Sequence, residues 1–135
     1  MTLWFLVKLY FSSALVFFAF DMIWLGFVAK NFYRVHIGGL LRPEVNWPGA
    51  IIFYLIFIAG IEYFAIVPSV AKGSVVHAAI AGALFGLVTY ATYDLTNYAT
   101  MKDFPLIVAL IDMAWGAFLS CTVTVAGYFL ATRVL

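Results

Sequence analysis

Of the 135 residues, 67% are hydrophobic, 19% aromatic and 10% charged, whereas soluble domains carry about 25% charged residues, so a water-soluble fold is excluded. At about 20 apolar residues per crossing, the length predicts four membrane helices with short connections, an all-α integral membrane bundle forming one domain over 1–135. Seven Lys plus Arg against six Asp plus Glu leave a net charge of +1, too balanced for a nucleic-acid binder or a polybasic lipid clamp.

The first apolar run, about 3–29, holds Phe5, Phe11, Phe17, Phe18, Phe20 and Phe27 and is long enough to cross a bilayer with some tilt. Its Lys8 comes late and no small-residue cleavage pattern follows the apolar core, so it reads as a helix of the mature protein. The segment KNFYRVHIGGLLRPEVN, 30–46, carries three basic residues, the Gly38-Gly39 pair and Pro43, and reads as an interfacial loop or short surface helix. A second run, about 47–68, opens on Trp47-Pro48, an interfacial aromatic before a residue suited to a first helical turn. Its one charge is Glu62, and SVAKGS at 69–74 follows as a turn.

The third run, about 75–101, begins with Ala78, Gly82 and Gly86, and the fourth, about 104–135, carries Gly116, Ser120 and Thr124. Small residues at four-residue spacing predict close helix contact, within the chain first and between two copies second. Cys121 lies in an apolar stretch and excludes both a disulfide framework and a thiolate metal cluster. Lys30, Arg34, Arg42 and Lys102 flank one membrane face; Lys72, Arg133 and Lys8 flank the other. That bias favours both termini outside.

Ionisable groups inside a bilayer cost at least about 2.5 kcal/mol, so each marks a pairing, a neutralised acid or a function. Asp21, Asp94 and Asp112 lie on three different helices at one depth, about 10–12 Å below the same face at 1.5 Å per residue. Each has a companion on its own helical face: Trp24 three after Asp21, Tyr90 four before and Asn97 three after Asp94, Trp115 three after Asp112. Lipid penalises such stripes, so they are expected to converge on a pocket open toward the first and third connections. Trp24 and Trp115 would flank it and Lys102 would reach in from its mouth. Three close carboxylates cannot all ionise cheaply, and at least one is expected to hold a proton near neutral pH. Glu62 and His77 lie in the opposite half and suggest a separate polar pair. The near copies DMIW (21–24) and DMAW (112–115) on oppositely running helices have the form of an inverted repeat.

No nucleophile elbow, phosphate loop, zinc helix or dinucleotide turn is present, and neither a metal nor a cofactor is expected. FDMIWLG, NFYR, AIIFY, TYDLTNYATMKDFP and IDMAWG resemble the signature of a family of small predicted bacterial membrane proteins of unknown function, domain of unknown function 2177. The likeness spans nearly the whole chain. Its most specific part is YDLTN followed by Lys102, Pro105 and the DxxWG of 112–116, with Phe104 where the family pattern has Trp. It implies a four-helix protein of the bacterial inner (cytoplasmic) membrane, with Asp21, Trp24, Asp94, Asn97, Lys102, Asp112 and Trp115 on motif positions, and no reaction. Three functions follow from the residues. The pocket binds a small lipophilic or amphipathic molecule, with a carboxylate as acid or base; or a dimer carries out proton- or cation-coupled transport through Glu62 and His77; or the chain is an accessory or assembly subunit of a larger membrane complex. Membrane lipids are the expected surroundings in each case.

Overall fold

The computed structural model describes residues 1–135. Each apolar run becomes a helix whose ends follow local chemistry. The first span, Leu3–Val28, is capped by Thr2, whose hydroxyl accepts from the Phe5 amide at 3.1 Å. The second, Trp47–Lys72, starts with the Asn46 side chain accepting from the Gly49 amide at 3.3 Å and with Pro48 in its first turn. The third, Val75–Thr100, is capped by Ser74, which accepts from the His77 amide at 3.0 Å. The fourth, Leu106–Val134, begins after Pro105. All four are long and apolar enough to cross a membrane.

The second span runs one turn further than the expected end at Pro68. Proline removes a backbone donor and crowds the carbonyl four residues earlier. A wide π turn over Glu62–Ile66 lies just ahead of it and absorbs that misfit. The helix then ends at Gly73, whose φ of 61° is the left-handed conformation glycine adopts without a Cβ clash.

Residues Lys30–Ile37 form a short surface helix between the first two spans. Ala29, Tyr33 and Ile37 recur at four-residue spacing; Ala29 and Ile37 are buried, while Lys30, Arg34 and His36 are exposed. Ile37 packs with Phe104, Val108 and Ala109, fastening this helix to the fourth span.

The main core joins Leu9 and Phe17 of the first span, Phe57, Ile58, Ile61 and Ile66 of the second, and Leu119 and Val123 of the fourth. Large apolar side chains such as Phe11, Leu15, Ile56, Phe64, Ile80, Leu84 and Phe118 point outward, as expected of a bundle whose solvent is hydrocarbon. Third and fourth spans pack most closely. A Cβ built on Gly82 would lie 2.6 Å from the Ser120 carbonyl oxygen and 2.6 Å from Thr124 Oγ1, and one on Gly86 would collide with the Gly116 backbone. Backbones at that separation need small residues on both sides.

Candidate functional site

The stripe of the third span runs on from the ridge at the same spacing: Ala78, Gly82, Gly86, then Tyr90 and Asp94. At Tyr90 the small residues stop. Its ring lies flat on Gly116, where a Cβ would collide with it, and beyond that wedge the helices enclose a cleft of about 380 Å³. Asp21, Trp24, Tyr90, Asp94, Asp112 and Trp115 all line it. Six of the eight expected binding residues are thus brought to one cavity.

The other two lie outside its wall. Asn97 is half-buried one turn past Asp94, and Lys102 is exposed; no Lys, Arg or His lines the cleft. Lys102 follows the end of the third helix at Thr100, which leaves it on the polar surface where an ammonium is best hydrated.

The two tryptophans do not flank the cavity from opposite sides. Their indoles stack on each other, centroids 4.5 Å apart and planes within 5°. Trp115 Nε1 donates to Asp21 Oδ1 at 3.3 Å, so the fourth span serves the acid of the first. Trp24 Nε1 donates to the Tyr33 hydroxyl at 3.1 Å, which donates to Asp112 Oδ1 at 2.7 Å, so the first span reaches the acid of the fourth. The DMIW and DMAW strings lock reciprocally across the stacked rings. Tyr54 completes the first arm by donating to Asp21 Oδ2 at 3.1 Å.

Tyr33 sits on the surface helix and, with Ile37 and Leu41, lines the cleft on the side facing the first and third connections. The mouth expected there is therefore roofed. Burial, and next the charge of Asp112, push the Tyr33 phenol above its ordinary range, so it remains a proton donor at neutral pH. The cleft also opens laterally. The Trp47–Ile61 part of the second span stands off the third, the gap being bridged by the Phe57 ring against Phe85 and Tyr90. A second hollow of about 370 Å³ lies there, sharing Phe53, Tyr90, Tyr93 and Asp112 with the first and extending to Phe57 and Thr89. Phe53 and Tyr93 are exposed on the lipid-facing surface.

Asp94 is the exception among the three acids of the cleft. Asp21 is satisfied by an indole and a phenol, and Asp112 by a phenol. Asp94 is 0% exposed, and neither of its carboxyl oxygens has a hydrogen-bond partner. The Asp112 carboxyl beside it is an acceptor like itself, close enough for the two to share one proton. A buried carboxyl that receives no donor costs about 1–3 kcal/mol, and more when it is charged. No group of three acidic, His or Cys side chains is arranged to hold a metal ion.

In the opposite half, His77 does not pair with Glu62. His77 Nδ1 lies 2.7 Å from Ser69 Oγ, and that hydroxyl donates to the Ala65 carbonyl at 2.6 Å, so the ring nitrogen is the donor between them. Glu62 is buried, with Oε1 unpartnered.

Three tyrosines went unnoticed as site residues in the sequence: Tyr33, Tyr54 and Tyr93. Helical phase could have found two. Tyr33 falls on the Ala29–Ile37 stripe, and Tyr54 leads the buried series Phe57, Ile58 and Ile61 at the depth of Asp21.

The family model described as "Predicted membrane protein (DUF2177)" matches residues 6–129. The chain belongs to that family. The match reaches into all four spans and takes in the surface helix and every residue of the cleft, and the description assigns membrane residence and no activity. Comparison with curated proteins and with solved structures gave no match.

Proposed function

We propose that the protein binds one small amphipathic molecule in the cleft beneath the surface helix, its polar head among the three acids and its apolar body in the lateral hollow. The observation that carries this reading is the combination of a mostly apolar cavity with a few convergent polar groups, one of which, Asp94, is fully buried without a partner. Ligand sites have that composition. A carboxyl left unsatisfied in the bundle costs stability, and a cost of that kind persists where a ligand relieves it. The lateral hollow supports entry from the bilayer. A carboxylate beside the head is also placed to act as acid or base on it.

Native mass spectrometry of the gently solubilised wild type and of Asp94→Asn tests the reading. A small mass retained by the wild type and lost from the folded variant is the expected result; a bare wild type overturns it.

A second reading, proton- or cation-coupled transport, draws on one observation. Ser13 Oγ, Glu62 Oε1 and Ser120 Oγ are buried without partners in the half of the bundle away from the cleft. A route to the far face would need such groups. In that case Glu62→Gln is as damaging to function as Asp94→Asn, whereas binding alone leaves Glu62→Gln mild.

A further inference from the structure

The polar wall of the cleft is one-sided in charge. It contains three carboxyl groups and no basic side chain, and every donor that reaches those carboxyls is neutral: two phenols and one indole N–H. Neutral donors stabilise an anion without cancelling it. Asp94, fully buried and lining the same cavity, has not even that.

The remaining wall is aromatic, with Tyr90, Tyr93, Phe53 and Phe104 joining the indole pair. Ring faces attract cations through their quadrupole, and they do so most strongly out of water. The acids do not converge as metal ligands, which suits a bulky, diffuse charge better than a small inorganic ion. An anionic head would meet three carboxyl groups with no compensating base. A neutral head can hydrogen-bond to the carboxyls but balances none of their negative charge.

Building on the binding reading above, we infer that the head recognised in this cleft is an organic cation: an alkylammonium group carried on a lipophilic chain. The ammonium lies between Asp94 and Asp112 and the aromatic wall, and the chain leaves past Phe53 and Tyr93 into lipid. Such a head occurs both in free amphiphilic amines and in zwitterionic lipid headgroups.

The test is a comparison of headgroups on one chain length with wild-type protein in a non-ionic detergent. Dodecyltrimethylammonium, dodecanol and dodecanoate are titrated while tryptophan fluorescence and native mass report occupancy. The ammonium should bind saturably and at least about tenfold more tightly than the alcohol, a difference of about 1.4 kcal/mol, and the carboxylate should not bind. Equal binding of alcohol and ammonium overturns the cation while leaving the lipophilic pocket standing. Failure of all three to bind overturns the pocket itself. Lysophosphatidylcholine separates the two sources: binding as tight as the ammonium assigns a lipid headgroup, and exclusion assigns a free amine. Asp94→Asn should erase the preference for ammonium, and exposed Asp103→Asn should leave it unchanged; a loss in Asp103→Asn would mean surface accumulation and contradict the inference. Because the headgroup series is read on the wild type, it decides the question even if Asp94→Asn does not fold.

Discussion

The two halves of the third span use one helical face in opposite ways. From Ala78 to Gly86 the face is made of small residues and lies backbone to backbone on Gly116, Ser120 and Thr124. From Tyr90 to Asp94 the same four-residue spacing carries a ring and an acid, and the helices enclose a cavity. Nothing in the helix itself changes. Side-chain volume along one stripe decides where a membrane bundle is solid and where it is hollow, and Asp21, Asp94 and Asp112 fall in the hollow part.

The solid half is the easier to break. Gly86→Leu forces the third and fourth spans apart at Gly116 and should cost at least about 3 kcal/mol, read as loss of monodisperse folded protein in detergent. The reciprocal Gly116→Ala strikes the Tyr90 ring at the boundary between the halves. It should cost about 1–3 kcal/mol by thermal unfolding, with lost ligand retention beside it because the wedge that shapes the cleft moves.

In the hollow half the changes are smaller and more local. Tyr33→Phe removes the donor to Asp112 and the acceptor of Trp24, for about 1–2 kcal/mol. It should speed hydrogen exchange across Lys30–Ile37 while leaving the third and fourth spans protected. The alkaline limb gives the smallest effect. The Tyr33 phenol is raised in the folded protein, so its contribution is fully present below the unfolded value of about 10 and is lost as pH rises above it. Wild-type melting should therefore decline more steeply than that of Tyr33→Phe above about pH 10.

Much of this was legible in the residues. Composition and run length gave four spans and the membrane class, and the depths of Asp21, Asp94 and Asp112 brought them to one cavity, because helical rise and phase are fixed by the backbone. The small-residue ridge was legible for the same reason. Other features depend on how whole elements dock, which local pattern does not encode. The roof formed by Tyr33 depends on where the surface helix lands, and the stacking of Trp24 on Trp115 depends on how the first and fourth spans approach. The partner of His77 depends on the second span passing Pro68 far enough to present Ser69. Lys102 was placed at the mouth by sequence distance alone, but the helix ends before it and leaves it in the polar surface.

On the proposed binding function, Asp94 is held unsatisfied for a ligand and not for the scaffold. Asp94→Leu tests this most directly, with ligand retention and thermal stability measured on the same preparation. Removing an orphaned buried carboxyl should leave the ligand-free protein as stable as the wild type or up to about 1 kcal/mol more so, while retention of the bound mass falls to background. A variant that unfolds at lower temperature and loses its ligand only in proportion to lost folded protein would contradict the account and assign Asp94 to holding the helices together.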